Sequence, residues 1–176
     1  MQLRRSARLL TAAGALVLAA TALTSCGFNY ATDRVYTPGA GTNDRDTDVD
    51  VLSAVVVSAE DGSGTLVATF SNNLEDEAVT VDSIEGEGLT FGDFSPIEVE
   101  PGGYVNLAEE ETPITVEGDF EQGDFLSMSF TFGDGSTATM DVPSVSDCFE
   151  YAGLDSTAET GTPEDECVAE APETEH

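Results

Sequence analysis

The sequence predicts an all-β protein, an antiparallel sandwich of about seven to nine strands. From residue 49 onward, short runs rich in Val, Ile, Thr and Phe alternate between apolar and polar residues, the pattern of half-buried strands. Turn residues separate these runs about every 8–12 residues. No segment keeps a helical period over a useful length. With 176 residues and 40% apolar content, the chain can bury one modest core.

The predicted strands follow one another between turn signals. The first is "VDVLSAVVV", the second is "GTLVATFSN" after the turn "EDGSG", and the third is "AVTVDSI" after "NNLEDE". Four short pieces bounded by Gly or Pro come next: "GLTF", "PIEVE", "YVNLA" and "PITVE". The hairpin "FLSMSFTFGDGSTATM", from Phe125 to Met140, completes the set.

This hairpin has one apolar face, made by the even-numbered residues of both strands: Leu126, Met128, Phe130, Phe132, Ala138, Met140 and Val142. A two-residue loop at Asp134-Gly135 would pair even positions with odd ones. We therefore predict a three-residue loop, Gly133-Asp134-Gly135, with Gly135 in the left-handed region as a bulge. This register places Met128 directly across from Met140.

Met128 and Met140 are the weak candidates for a metal site. Thioethers are soft ligands that suit Cu(I), but two of them alone lack the third donor that such a site usually has. The only histidine of the chain, His176, is its last residue. Methionine more often fills gaps in a core. We predict core packing, with copper binding as the alternative.

Residues 1–25 are predicted to be a lipoprotein signal peptide. A basic start is followed by the apolar run Leu9–Leu23, which is short for a membrane span. The run ends in "LTSC", which resembles a bacterial lipobox and makes Cys26 the predicted lipid-attachment residue; an ordinary secretory signal is the alternative. The mature chain, residues 26–176, would then be extracytoplasmic and anchored through lipid to the outer face of the cell membrane.

The mature chain is strongly acidic. Three of the five basic residues lie in the leader and none of the 35 acidic residues does, so two arginines remain against 35 carboxylates, a formal charge of −33. This charge excludes nucleic acid as a partner, because a phosphate backbone needs cationic neutralisation. It also argues against electrostatic attraction to anionic lipid. A solvated, self-repelling surface explains most of the acidity.

We predict three regions in the mature chain: a lipidated N-terminus and flexible linker over 26–48, the β-sandwich over 49–147 and an acidic tail over 148–176. Aspartates at 44, 46, 48 and 50 could suggest calcium, but Val49 stands where an EF-hand loop needs Gly. Val55 stands where that loop needs Glu. We predict instead that these aspartates face solvent where the first strand begins.

Cys148 and Cys167 are predicted to form a disulfide. Two thiols in a small exported domain usually pair, because the compartment is oxidising. Closing a loop of about 20 residues would stabilise the fold by roughly 3 kcal/mol in the chain-entropy treatment. A reactive or intermolecular thiol is the alternative, since Cys167 lies in the acidic stretch "TPEDECVAEAPETEH".

Three segments of the sandwich carry a family resemblance: "GTLVATFSNN", "SPIEVEPGGYVNLAEEETPITVEG" and "FEQGDFLSMSFTFGDGSTATMDVPSV". Their strand and turn patterns resemble the periplasmic copper chaperone family PCu(A)C over roughly Val49 to Val145. The layout is also that of related actinobacterial surface lipoproteins with a linker like "YTPGAGTNDR". The resemblance implies a cupredoxin-like or immunoglobulin-like sandwich and an extracytoplasmic location.

The copper ligands of that family do not carry over. The family's His-x-Met would fall within Glu110 to Thr115, and its upstream histidine and methionine would fall near Gly88 to Phe94. Neither segment contains a histidine or a methionine. The resemblance therefore supports a fold and leaves the copper site without ligands.

The predicted function is a lipid-anchored, extracytoplasmic, non-catalytic binding or scaffold module for an unknown protein or small ligand. An enzyme is not expected, because Ser-His-Asp and Cys-His arrangements need a histidine inside the domain. No cofactor is expected either. One alternative is a divergent Cu(I) chaperone using Met128 and Met140. A second is a weak divalent-cation binder using the acidic clusters Glu75–Glu77 and Glu109–Glu111.

Overall fold

Ten β-strands make up most of the described chain in the computed structural model, which describes residues 40–159, 161–163 and 167. The strands are β1 Thr42–Asp44, β2 Val49–Glu60, β3 Ser63–Asn72, β4 Val79–Gly86, β5 Leu89–Phe91, β6 Ile97–Val99, β7 Tyr104–Asn106, β8 Ile114–Gly118, β9 Phe125–Phe132 and β10 Thr137–Ser146. The helical elements of this region are two 3-10 helices, Leu107–Glu109 and Phe149–Tyr151. The all-β prediction is confirmed.

The strands form one continuous, curled sheet. Its hydrogen-bonded path runs β5-β8-β3-β2-β10-β9-β4-β6, with β1 added beside β2 and β7 beside β3. The two halves of the path face each other across the core, where the rings of Phe70 in β3 and Phe130 in β9 meet edge to face with centroids 5.8 Å apart. Such a pair stabilises the fold beyond its buried area. The apolar faces of both halves therefore share one core.

Strand β10 joins the two halves. Its residues Thr137 to Pro143 pair antiparallel with β9, and Ser144 to Ser146 pair parallel with β2. Pro143 lies at this change of partner, where a residue that has no N–H to donate costs the ladder least. The β2–β10 ladder is parallel, whereas the other strand pairs of the described sheet are antiparallel as predicted.

The β9–β10 hairpin has the predicted register. Met140 pairs directly with Met128, and the loop is Gly133-Asp134-Gly135, with Gly135 at φ +85°. The Phe132 N–H donates to the Ser136 carbonyl at 2.9 Å and so closes the three-residue loop. The Ser136 hydroxyl and then its backbone N–H donate to the Asp134 carboxylate, at 2.7 and 2.8 Å, and both lower the pKa of Asp134.

Both methionines lie in the core, as predicted. Met128 is 1% exposed and Met140 is 8% exposed. They belong to the same apolar cluster as Phe130 and Phe132. Their thioethers therefore fill space between the two halves of the sheet.

The ordered domain begins earlier than predicted. Strand β1 lies inside the predicted linker 26–48, and it pairs with β2 through Thr42–Ala54 and Asp44–Val51. Asn43 accepts a hydrogen bond from the backbone of Ser53 at 2.9 Å. The prediction missed β1 because "TND" has the composition of a turn, whereas the free edge of β2 beside β10 supplies partners for an extended segment. The predicted signal peptide and the predicted lipid-attachment residue Cys26 lie outside the described residues.

No helix in the described residues is both long and apolar enough to cross a membrane.

The domain also continues beyond its predicted end at 147. The side chains of Asp147 and Asp155 are 1% and 6% exposed, and buried carboxylates need hydrogen-bond donors. Asp155 accepts from the backbone N–H of Ala59 at 2.8 Å, and Asp147 accepts from that of Leu154 at 3.0 Å. The first bond holds the segment after β10 against the end of β2, and the second closes a turn within that segment.

The predicted disulfide is confirmed. Cys148 is bonded to Cys167 across 19 residues of sequence, with a Cα–Cα distance of 5.5 Å. Cys148 is buried at the end of β10, so the bond fixes Cys167 next to the sheet. The first part of the predicted acidic tail is therefore attached to the domain by both the disulfide and the buried carboxylates.

The core position of Met128 gives a stability prediction. Met128→Ala should lower the free energy of unfolding by about 2–5 kcal/mol, because it leaves a cavity beside Phe130. Met128→Leu, which nearly conserves volume, should lower it by less than about 1.5 kcal/mol. Urea denaturation of the mature chain measures both. Phe125→Ala is the matched control, since Phe125 is on the same strand and 70% exposed. An alanine variant at Met128 as stable as this control would contradict the core assignment.

Candidate functional site

The candidate site is the place where the curled sheet stays open. The strand path ends at β5 and at β6, which are joined by the loop 92–96. A cavity of about 540 Å³ lies beside this loop, between β6 on one side and β7 and β8 on the other. We call it the seam cavity. Its lining residues are Asp93, Phe94, Ser95, Pro96, Ile97, Glu98, Val105, Leu107, Glu110, Thr112 and Ile114.

Short strands explain why the sheet does not close here. Strands β5, β6 and β7 have three residues each, and Gly or Pro lies next to each of them. A three-residue strand offers few ladder hydrogen bonds, and Pro96, just before β6, has no N–H. The sheet therefore curls without a final strand pair, and the seam cavity occupies the gap.

The inner wall of the seam cavity is apolar. Leu107 and Ile114 are 5% and 2% exposed and belong to the core. Phe94, Ile97 and Val105 are half-buried and pack against that core. The wall is thus the outer surface of the protein core, exposed where the two halves of the sheet separate.

The rim of the seam cavity is acidic. Asp93, Glu98 and Glu110 line it, and all three are exposed. Within the described residues the one ion pair is Arg45 with Asp50, at 2.6 Å. Residues 26–176 contain only one other arginine, Arg34, and no lysine. The arginine of the described domain is therefore paired with Asp50 and not with a carboxylate of the seam cavity.

Hydrogen bonds fix both sides of the seam cavity. The buried Asn72 side chain donates to the Val99 carbonyl at 3.1 Å and so holds the end of β6. The Gly92 N–H donates to the Thr115 carbonyl at 2.9 Å and ties the loop to β8. A Cβ on Gly92 would lie 2.5 Å from the Thr115 hydroxyl, so a larger residue there would force the Thr115 side chain to move. The cavity is therefore largely pre-formed.

The resemblance to copper chaperones places its two ligand segments at this cavity. Gly88 to Phe94 supplies Asp93 and Phe94, and Glu110 to Thr115 supplies Glu110, Thr112 and Ile114. No lining residue is a histidine, a cysteine or a methionine. Soft thioether and imidazole ligands are what Cu(I) needs, so the residues of the cavity do not fit copper.

The other predicted site residues lie apart from the cavity lining. Met128 and Met140 are in the core, and Cys148 and Cys167 form the disulfide. His176 lies outside the described residues. The methionines therefore have no histidine or cysteine donor that the structure brings to them.

The acidic clusters do not assemble into a metal site in the described part of the chain, where no group of three or more His, Cys, Asp or Glu side chains is arranged to hold a metal ion. Of the clusters Glu75–Glu77 and Glu109–Glu111, only Glu110 lines the seam cavity. Among the four alternate aspartates, which were predicted to face solvent, Asp50 is instead buried, because Arg45 and the Asn73 amide, the latter at 2.8 Å, donate to its carboxylate. The divalent-cation alternative has no supporting geometry there.

Comparison with known proteins gives few matches. No protein-family model matches the chain, and no curated protein matches it. Among solved structures, it is similar to the "Copper-bound PCuAC domain from PmoF2", with a TM-score of 0.49, 12% identity, and coverage of 60% of this chain and 98% of that domain. The apo PmoF2 PCuAC domain matches with a TM-score of 0.48 and 11% identity, covering 60% of this chain and 95% of that domain. The apo PCuAC domain from PmoF1 matches with a TM-score of 0.48 and 15% identity, covering 60% of this chain and 99% of that domain. Similarity at this level carries no information about what this chain binds.

Proposed function

We propose that this chain is a lipid-anchored, extracytoplasmic, non-catalytic binding module that captures a small molecule in the seam cavity. The observation that supports this proposal is the cavity itself. Its volume of about 540 Å³ is within the range of small-molecule sites, roughly 300–1,000 Å³. Its apolar inner wall with a few polar groups at the rim is also typical of such sites.

The contents of the seam cavity favour binding over catalysis. Its hydroxyl groups are those of Ser95 and Thr112, both exposed at the rim. A hydroxyl nucleophile needs an adjacent base to activate it, and the single histidine of the chain is residue 176. The remaining lining groups are apolar side chains and exposed carboxylates. They can hold and orient a ligand.

Two features support an extracytoplasmic location. The disulfide between Cys148 and Cys167 is typical of proteins in oxidising compartments. The leader has a basic start, an apolar run and the lipobox-like "LTSC" before Cys26. The linker after Cys26 would then space the domain from the bilayer.

The lipid anchor gives a direct prediction. In a bacterial cell, the wild-type protein should partition with membranes and incorporate labelled fatty acid. Cys26→Ser should incorporate none, because serine has no thiol to acylate. Fractionation and intact-mass measurement check this, and Cys148→Ser is a matched control that keeps the lipobox. Equal fatty-acid labelling of the wild-type protein and Cys26→Ser would contradict the anchor.

The binding role predicts a localised response to small organic probes. In amide NMR spectra of the mature chain with Cys26→Ser, n-hexanol, phenol, n-hexylammonium and hexanoate should be tested separately. At least one should shift the amides of Phe94, Ile97 and Val105. Val105→Trp should remove that response, because the indole would fill the cavity. If Val105→Trp does not fold, Thr112→Trp is used in its place, because Thr112 is an exposed lining residue and its replacement should also block the cavity.

The control is Thr139→Trp, an exposed position on the outer face of β10 that should leave the response unchanged. If all four probes shift only residues elsewhere, or none at all, the seam cavity is not the binding site.

A further inference from the structure

We propose that the ligand of the seam cavity is a small amphiphilic organic cation, with an apolar body and an ammonium or guanidinium end. This inference rests on the proposed function. It assigns the apolar body to the inner wall and the charged end to the acidic rim. The three arguments for it are the division of the lining into two chemical zones, the unpaired carboxylates among the described lining residues and the aromatic ring of Phe94 in the lining.

The lining separates apolar from charged groups. Leu107 and Ile114 belong to the core, and Ile97 packs against it on the other side of the gap. The carboxylates of Glu98 and Glu110 are exposed next to these residues along the chain. A ligand that removes the apolar wall from water gains hydrophobic stabilisation. The same ligand must place a polar group at the rim.

The sign of that polar group follows from the charges. Asp93, Glu98 and Glu110 all line the cavity, and the one ion pair of the described domain joins Arg45 to Asp50 and not to any of them. These carboxylates attract a cationic end of a ligand and repel an anionic one. The formal charge of −33 on the mature chain also favours the approach of cations. Charge complementarity therefore selects a positive ligand.

Phe94 provides a third contact for a cation. It lines the cavity next to Asp93 in sequence and is half-buried, with its inner part against the core. A cation over the face of a phenylalanine ring is attracted by the electron density of the ring. An aromatic ring next to a carboxylate in the lining suits an ammonium group on an apolar chain, because the ring and the carboxylate both attract positive charge.

The same observations argue against a bare divalent metal ion. Such an ion would need grouped oxygen ligands, and the described residues contain no such group. A small molecule with its own apolar body can use both the carboxylates and the apolar wall.

The test compares probes of equal length and different charge. The mature chain with Cys26→Ser is titrated with n-hexylammonium, n-hexanol and hexanoate at physiological salt, and Kd is followed at the Phe94 and Val105 amides. We expect n-hexylammonium to bind at least about tenfold more tightly than n-hexanol, and hexanoate to bind most weakly. Equal Kd values for the first two overturn the cation proposal while the binding function stands. Failure of all three probes to bind at the cavity overturns the cation proposal, and failure of phenol as well overturns the binding function.

Charge variants distinguish attraction of the cation by the rim carboxylates from attraction by the net charge of the whole protein. Glu98→Gln with Glu110→Gln should reduce the preference for n-hexylammonium over n-hexanol to about twofold. The matched control, Glu85→Gln with Asp141→Asn, removes two exposed carboxylates from β4 and β10 and should keep the full preference. If both double variants lose the preference equally, or neither loses it, the rim does not recognise the cation and the proposal fails.

Discussion

The pairing of β10 with strands of both halves of the sheet is the constraint on which the rest of the structure depends. Residues up to Pro143 pair with β9, and Ser144 to Ser146 pair with β2. Because one strand belongs to both halves, the sheet must curl around a common core. The free ends of the path, β5 and β6, are then brought toward each other on the opposite side. Their failure to pair leaves the seam cavity.

The seam cavity combines features that the fold keeps apart elsewhere. In the closed part of the sheet, apolar side chains face inward and acidic side chains face outward. At the gap, the core residues Leu107 and Ile114 lie beside the carboxylates of Glu98 and Glu110. Where the sheet stays open, part of the core and part of the acidic surface therefore line the same cavity and form an amphiphilic surface.

Local patterns predicted the strands, and long-range pairing decided the rest. The β9–β10 register followed from alternation and loop length, since Met128 can face Met140 only with a three-residue loop. Strand β1 was missed because only its partner β2 makes "TND" extended. The seam cavity was missed because three separate segments, 93–98, 105–107 and 110–114, build it. The one signal in the sequence was the run of short pieces between Gly and Pro, which are too short to close a sheet.

The most direct test of the account is whether one ligand contacts both sides of the gap. We would measure intermolecular nuclear Overhauser effects between the alkyl protons of n-hexylammonium and the methyl groups of the protein, residues 26–176 with Cys26→Ser. The account predicts simultaneous effects to Ile97 on β6 and to Leu107 and Ile114 on the β7–β8 side. Effects confined to one side, or to methyl groups away from the gap, would contradict it.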